Sequence, residues 1–405
     1  MKITKVETIQ HPSYPVLTWV KLHTDAGLVG LGETIQGAPA VAGMIHGTFA
    51  DILLGRDPSE IELLWHHMYR YAHYGGYAGT EMRAISAIDI ALWDLLGKVH
   101  DVPVYKLLGG ACRQKIPTYN TCGSGGDFPD HERFHDDPAG LAQDLLDSGI
   151  QAMKIWPFDD VAAPSNGQKI SRDQLEYGVS RIRAIRDAVG DEMEIALEGH
   201  CLWNLPSAIK IARAVEPFNL MFLEELMFHD DPDATRQLRE ATSTPLVTSE
   251  RLISLSAFKK VLDRGAADIA MIDICWTGGL SEAKKIAALA ESYQLPMAPH
   301  NPGGPVNHLV VTHYCASIYN FFIMESVRGY YRSWFPEVVT HTHLPVQGEF
   351  PLPPGPGLGT ELSETFLSQS EIIRQETTAR TGRSDGYIYG NPYRSGTNLW
   401  RPESS

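Results

Sequence analysis

Acidic side chains recur at nearly regular intervals in the middle of the chain, each within or at the end of a short apolar run. The series consists of Glu198 in IALE, Glu224 in MFLE, Glu250 in LVTSE, Asp273 in MIDIC and, as its last member, His300 in APHN. Successive members are 26, 26, 23 and 27 residues apart. Because this spacing is the length of one strand–helix unit, we expect all five side chains to share one rim of a parallel sheet.

Three carboxylates on one rim need a counter-charge. At about 4 Å separation and an effective dielectric constant of about 20, each like-charge pair costs about 4 kcal/mol, and three pairs cost about 12 kcal/mol. A divalent cation relieves all three pairs at once, and oxygen ligands favour a hard ion such as Mg2+. We therefore expect Glu198, Glu224 and Glu250 to bind one Mg2+, with separate pairing of each acid to Lys or Arg as the alternative.

Short apolar segments and amphipathic helices alternate after Gly110, and these elements must position the rim. The predicted strands are PTYNTCG, AMKIW, EIALEGH, LMFLEEL, PLVTSE, DIAMIDIC, PMAPHN and FFIMES, and helices are predicted over 171–189, 204–216, 279–293 and 305–319. Eight strands separated by helices predict a parallel sheet covered on its outside. Closure into a (β/α)8-type barrel removes the exposed edges, and such barrels carry active sites at the carboxyl ends of their strands.

The flanking regions predict an attachment to this barrel. Residues 1–116 combine a hairpin over 17–34 with a helical region from about 45 to 105, and we expect a small α+β domain there, followed by a barrel over 117–344. The Pro- and Gly-rich region 345–375 is expected to return onto the first domain. We expect the last 30 residues to form a polar arm, either mobile or packed on this or a neighbouring subunit.

Charge and composition exclude several classes of protein. The chain has 34 Lys and Arg against 49 Asp and Glu, a formal charge of −15, which excludes the basic surface of a nucleic-acid or anionic-membrane binding protein. It has no apolar run long enough to span a membrane and no signal-peptide pattern at its start. Five scattered cysteines without CxxC spacing indicate reduced thiols, so we expect a cytoplasmic protein.

The motifs around these residues carry a family resemblance when they are taken together. They are EGH, LEEL, TSER, DICWTGG and APHNPGGP, with PVYKLLGG at the end of the first domain, and the residues in order are Lys154, Glu198, Glu224, Glu250, Asp273, His300 and Glu325. This order resembles the mandelate racemase subgroup of the enolase superfamily (mandelate racemase/muconate lactonizing enzyme-like), and is closest to the acid-sugar dehydratases. The resemblance implies a (β/α)7β TIM barrel with an α+β capping domain, one Mg2+ per subunit, a small carboxylate substrate and a homo-oligomer of two to eight subunits.

The resemblance also implies roles for the residues around the metal. His300 is the base that removes the substrate α-proton, and Asp273 holds its imidazole. Lys154 binds the substrate carboxylate or lowers a neighbour's pKa, with a structural ion pair as the alternative. Glu325 donates to or orients the substrate carboxylate if protonated, with an ordinary salt bridge as the alternative.

Two departures from the family pattern bear on the reaction. Racemases of this subgroup carry a second Lys two residues after the first, whereas this chain has Trp156, so the second base of a racemase is missing. Glu198 stands where Asp is more usual, which lengthens that metal ligand by one methylene.

His200 offers a proton donor for a leaving hydroxyl. Because alternate residues of a strand point to the same side, we expect His200 to face the metal beside Glu198, and Glu225 to point away from it. By analogy with the family's capping loops, Trp156, Trp203, Trp19 and His23 are expected to line the substrate pocket. The pairs His341–His343 and His66–His67 are not expected to bind metal.

These inferences predict a Mg2+-dependent dehydratase of an aldonate or aldarate. It would pass through a metal-stabilised enediolate and yield a 2-keto-3-deoxy acid. An isomerase that uses the same enediolate, either a racemase/epimerase or a cycloisomerase of an anhydro-sugar acid or sugar lactone, is the main alternative. A catalytically silent scaffold or binding protein is a minor one.

Overall fold

The structure is a computed structural model that describes residues 1–380, so most of the arm expected for the last 30 residues lies outside the described residues. Ten strands are present in this range: β1 (Ile3–Gln10), β2 (Leu17–Thr24), β3 (Val29–Ile35), β4 (Lys115–Thr121), β5 (Ala152–Ile155), β6 (Glu194–Glu198), β7 (Phe222–Glu224), β8 (Met324–Ser326), β9 (Glu349–Pro351) and β10 (Ile373–Thr377).

The N-terminal region forms an antiparallel sheet with the order β10–β1–β2–β3, which we call the capping domain together with its helices. The hairpin turn between β2 and β3 contains Gly27 at φ +77°, a conformation that favours glycine. The helices are α1 (Ala38–Met44), continued by a π-helical turn (Ile45–Phe49), α2 (Ala50–Leu53), α3 (Ile61–Ala72), α4 (Thr80–His100) and α5 (Val104–Leu107).

Strand β3 lies directly on helix α4. A Cβ atom at Gly30 would come within 2.1 Å of the Ala91 carbonyl oxygen, and one at Gly32 within 2.0 Å of the Ala87 carbonyl oxygen. Only glycine allows this approach, so the strand and the helix form one closely packed unit.

The second region is a closed parallel barrel, which confirms the expected fold class. Strands pair in parallel in the order β8–β4–β5–β6–β7. Parallel bridges continue the ladder from β7 back towards β8, joining Leu223 to Leu246, Val247 to Ile269, Ala270 to Met297, and Met297 to Phe321. Counted from β4, the barrel therefore has eight positions, and β5, β6 and β7 are the second, third and fourth.

Strands five to seven of the barrel are shorter than the sequence predicts. Side chains take over part of their backbone pairing: Asp268 Oδ2 accepts from the Leu246 amide at 3.0 Å, and Thr248 Oγ1 accepts from the Met271 amide at 2.7 Å. These two amides, in the fifth and sixth strands, are thereby withdrawn from the backbone ladder, and isolated bridges stand where the sequence predicts continuous strands.

Helices surround the barrel. The longer ones are α6 (Asp130–Asp136), α7 (Pro138–Asp147), α8 (Arg172–Val189), α9 (Leu205–Val215), α10 (Pro232–Glu240), α11 (Ser254–Asp263), α13 (Gly279–Ser292) and α14 (Pro305–Ser317), and the one-turn helices are α12 (Ile274–Thr277), α15 (Arg328–Tyr331), α16 (Phe335–Val338) and α17 (Glu364–Leu367). No helix within residues 1–380 is long and apolar enough to cross a membrane.

The C-terminal segment joins the two regions. β9 pairs antiparallel with β4 of the barrel, and β10 pairs antiparallel with β1 of the capping domain. Apolar packing crosses the boundary, with Trp19 and Leu31 in the same cluster as Leu280, Val310 and Phe350. All five cysteines are unpaired, and Cys112 alone among them is exposed.

Asp89 is a buried acid at this boundary, and it predicts a pH-dependent stability. Its carboxylate accepts from the Ser281 amide at 3.0 Å and from the Ser281 hydroxyl at 2.6 Å, and burial raises its pKa to about 7. The folded chain therefore holds this proton more tightly than the unfolded chain. The resulting stabilisation is complete below about pH 4 and is lost as the pH rises to about 7.

We expect the free energy of unfolding of Asp89→Asn, relative to that of the wild type, to be higher at pH 8 than at pH 5. Asparagine carries no charge to bury, and one unit of pKa shift corresponds to about 1.4 kcal/mol. Urea unfolding of both proteins at the two pH values measures the difference, which should change by about 1 kcal/mol or more. An unchanged difference would contradict the raised pKa.

Candidate active site

One buried ammonium group gathers acids from three strand ends of the barrel. The Nζ atom of Lys154, at the end of β5, lies 2.8 Å from Glu224 Oε2, 3.0 Å from Glu325 Oε1 and 3.5 Å from Glu198 Oε2. All four side chains are almost fully buried. The parallel strands end at the same rim, and this rim location explains why residues so distant in sequence meet.

Two of the rim carboxylates each have a buried oxygen atom without a hydrogen-bond partner. Glu198 Oε1 accepts from the amides of Gly199 and His200 at 2.9 and 2.7 Å, but Glu224 Oε1 and Glu250 Oε2 are buried without a hydrogen-bond partner. Burial and the charge of Glu198 raise the pKa of Glu224 well above its usual value, and burial raises that of Glu250 to about 8. Burial thus disfavours the charged form of both carboxyl groups, and the acids at the rim outnumber the single ammonium.

The carboxylate oxygens of this site suit a hard cation, although the side chains are not arranged around a metal position. Unpartnered carboxylate oxygens on Glu224 and Glu250 are the ligand type that Mg2+ prefers. Within residues 1–380, no group of three His, Cys, Asp or Glu side chains is spaced as a metal site, and the Lys154 ammonium lies among the acids.

Asp273 and His300 form a hydrogen-bonded pair. His300 Nδ1 lies 2.8 Å from Asp273 Oδ2, and the two residues form a parallel backbone bridge. Burial opposes a charge on His300, but the charges of Glu325 and Glu250 and the bond to Asp273 raise its pKa to about 9. The pair leaves Nε2 as the imidazole nitrogen that Asp273 does not bind.

Glu325 is an ion-pair partner in this structure. Its carboxylate accepts from the Asn301 amide at 2.6 Å and from the Thr121 hydroxyl. Burial favours its neutral form, but the charges of Lys154 and His300 prevail and lower its pKa. The structure therefore favours the salt-bridge alternative over a protonated Glu325 that donates a hydrogen bond.

His200 reaches the site through a turn, so the expectation that strand alternation places it there is wrong. Strand β6 ends at Glu198, and His200 and Cys201 have φ angles of +46° and +60°. This left-handed turn directs the amides of residues 199 and 200 onto the Glu198 carboxylate. Glu225, also at positive φ, bonds to Arg251 and Ser249 instead of Lys154.

Asp159 is a site residue that the sequence analysis missed. Its Oδ2 atom lies 2.6 Å from His200 Nδ1. Burial lowers the pKa of His200, but this hydrogen bond and the charge of Glu198 outweigh it and raise the pKa. The signal was present in the sequence WPFDD, where an acid follows the second barrel strand, but nothing in the spacing paired it with residue 200.

Trp156 lies beside His200, with their rings 5.7 Å apart in an edge-on arrangement. The other three residues predicted to line the pocket have partners of their own. Trp19 is fully buried and donates to Glu33 Oε2 at 2.8 Å, and Trp203 is packed in the barrel core. His23 pairs with Glu7 at 2.6 Å and lines a separate surface cavity with Lys21 and Lys98. That these three side chains line the substrate pocket stays a prediction.

Comparison with known proteins gives matches over nearly the whole chain. Residues 3–109 match the family described as mandelate racemase/muconate lactonizing enzyme, N-terminal domain, and residues 138–366 match the enolase C-terminal domain-like family. A D-galactonate dehydratase from Ralstonia pickettii (strain 12J) is 33% identical over 377 residues, which cover 91% of this chain and 94% of the relative.

Solved structures agree with this result. An enolase of the mandelate racemase subgroup from Agrobacterium tumefaciens is 40% identical, with a TM-score of 0.86 over 94% of this chain and 99% of the other. An enolase protein from Sargasso Sea environmental sequencing is 36% identical, with a TM-score of 0.87 over 93% and 99% of the two chains.

The arrangement around Lys154 predicts a large effect of removing its charge. Lys154→Met leaves three buried carboxylates without their shared counter-charge, so we expect the free energy of unfolding to fall by about 3 to 5 kcal/mol. Lys115→Met is the control, because Lys115 forms an exposed ion pair with Glu349 at 3.0 Å and should contribute less than about 1 kcal/mol. Urea unfolding in the presence of a chelator measures both, and equal losses would contradict the role of Lys154.

Proposed function

Since the chain belongs to the mandelate racemase subgroup of the enolase superfamily, we propose that it is a Mg2+-dependent dehydratase that removes water from an acid sugar, an aldonate or aldarate. One observation supports this reaction above others: two carboxylate–imidazole pairs lie on opposite sides of the rim acids. A dehydration needs a base for the α-proton and an acid for the β-hydroxyl, and two such pairs can supply both.

The opposition of the two pairs follows from the strand order. Asp159 and His200 come after the second and third barrel strands, whereas Asp273 and His300 come at the ends of the sixth and seventh. In a barrel of eight strands, positions four strands apart lie opposite each other. A substrate held over Lys154 at the centre thus has one imidazole on each side.

Glu198, Glu224 and Glu250 would hold the Mg2+ ion, since two of them have unpartnered buried oxygens. When bound, the ion would supply positive charge to the substrate carboxylate and offset the Glu250 charge that raises the pKa of His300. Lys154 would supply a further positive charge next to the same carboxylate.

The protein's own groups then account for each proton. His300 accepts the α-proton at Nε2 while Asp273 holds Nδ1, and the electron pair of the broken C–H bond gives an enediolate. His200, held by Asp159, donates a proton to the β-hydroxyl, which leaves as water. The enol electrons of the C2=C3 bond then take up a proton at C3 while the C2 hydroxyl gives up its proton, which yields a 2-keto-3-deoxy acid.

The identity of Trp156 weighs against a two-base racemase of the family type, because its indole cannot accept the α-proton in place of a second Lys. An epimerase in which His200 returns a proton to the opposite face remains the second candidate, since His200 lies opposite His300. A single assay separates the two reactions.

We expect the wild-type protein with Mg2+ to convert one member of an acid-sugar panel into a semicarbazide-reactive keto acid. D-Galactonate is the first compound to test, because the 33% identical relative is named for it. In D2O the dehydratase gives this keto acid, whereas an epimerase gives a deuterated epimer and no keto acid. The second outcome, or no reaction across the panel, would contradict the proposal.

Substitution of each histidine should separate the roles of the two imidazoles in the reaction. His300→Asn is expected to lose both α-proton exchange and elimination, by about 100-fold or more, while Mg2+ binding in calorimetry is retained. His200→Asn is expected to keep exchange in D2O and lose elimination, because proton removal does not need the acid. Asparagine also tolerates the positive φ at this position. Full turnover by His200→Asn would remove His200 from the mechanism.

A further inference from the structure

The carboxylate of Glu33 lies between the capping domain and the barrel, behind the loop that carries His300. It is fully buried at the end of β3 and accepts hydrogen bonds from the Val306 and Asn307 amides at 3.2 and 3.1 Å and from the Trp19 indole at 2.8 Å. These amides open helix α14, whose first amides have no partner within the helix. A side chain of the capping domain therefore caps a barrel helix.

The loop leading into this helix is shaped around Glu33. It runs from Asn301 to Gly304, directly after His300, and no side chain of its own caps the helix. A Cβ atom at residue 304 would come within 2.5 Å of Glu33 Oε2. The position of the carboxylate thus fixes where the chain passes between His300 and α14.

The next residue of β3 binds the loop that carries Asp273. Thr34 Oγ1 donates to the Cys275 carbonyl at 2.8 Å, and Cys275 Sγ donates to the Glu33 carbonyl at 3.1 Å. Cys275 in turn donates its amide to Asp273 Oδ1 at 2.8 Å. Two consecutive residues of one strand hold the loops of both members of the Asp273–His300 pair.

We propose that Glu33 and Thr34 are positioning residues that set the geometry of the Asp273–His300 pair from the capping domain. The identification of that pair as the base rests on the proposed function. Neither residue touches the reacting atoms, and both act through the two loops. Because β3 lies against α4 with only glycine between them at residues 30 and 32, the strand provides a firm support for both loops.

A purely structural role for these contacts is the competing explanation, and Asp94 provides a matched comparison. It is a fully buried acid of the same domain and accepts from the Leu31 and Leu358 amides, each at 2.8 Å. It binds β3, the C-terminal segment and, at 2.6 Å, the ammonium of Lys98 in α4, and none of these partners belongs to the loops after Asp273 and His300. Asp94→Asn therefore tests the cost of removing a buried charge without disturbing the pair.

The experiment compares Glu33→Gln, Thr34→Val and Asp94→Asn in the full chain with Mg2+. For the first two variants we expect kcat to fall about 10-fold or more with KM within about 3-fold of the wild type, since small displacements of a catalytic group slow the chemical step. Asp94→Asn should lower the melting temperature and leave kcat within about 2-fold. If Glu33→Gln does not fold, Thr34→Val and Asp94→Asn decide the matter.

Hydrogen exchange gives a readout that needs no substrate. In Glu33→Gln, amide exchange over residues 301–309 should rise several-fold, while the same segment is unchanged in Asp94→Asn. Unchanged exchange there, or an equal loss of kcat in Glu33→Gln and Asp94→Asn, would overturn the proposal. If the wild type converts no acid sugar, the proposed function fails separately, and the exchange result still decides whether Glu33 controls the His300 loop.

Discussion

The site depends on the balance of charge around one buried lysine. Lys154 brings a single positive charge to a rim where Glu198, Glu224 and Glu325 converge, and Glu250 lies nearby with its own unpartnered oxygen. Buried charges are tolerated only when they are paired or bind a cation. The arrangement is therefore stable enough to form, but its acids outnumber its single ammonium, and a divalent cation can neutralise the remaining negative charge.

The capping domain contributes more than a cover over this site. Two of its buried acids, Glu33 and Asp89, accept amides at the starts of α14 and α13, the helices that follow the seventh and sixth barrel strands. Carboxylates at helix N-termini satisfy free amides and interact favourably with the helix dipole. Hydrogen bonds between the two domains therefore fix the ends of the loops that carry His300 and Asp273. The geometry of the site thus depends on the contact between the domains.

The order of the site residues could be predicted because it depends on periodicity. A strand–helix repeat of 23 to 27 residues places Glu198, Glu224 and His300 on one rim regardless of side-chain detail. The directions of individual side chains could not be predicted in this way. Trp19 packs in the core shared by the two regions and donates to Glu33, whereas His23 pairs with Glu7, and the sequence does not state these partners.

The geometry of the His200–Asp159 pair could not be predicted from the sequence either. His200 does lie near Glu198, but a left-handed turn places it there, and alternation along a strand would have given a different geometry. Asp159 pairs with it across 41 residues of sequence, on a neighbouring loop. Such pairs depend on loop conformation, which is decided by tertiary contacts and leaves no regular spacing in the sequence.

Strand β1 has β2 on one edge and β10 on the other, and β10 ends at Thr377. During synthesis on the ribosome, the first strand emerges some 360 residues before its second neighbour. Its unpaired edge is an exposed template for wrong pairing until then. The edge of this sheet is thus among the last parts to be completed, because it joins strands that are farther apart in sequence than any other paired strands within residues 1–380.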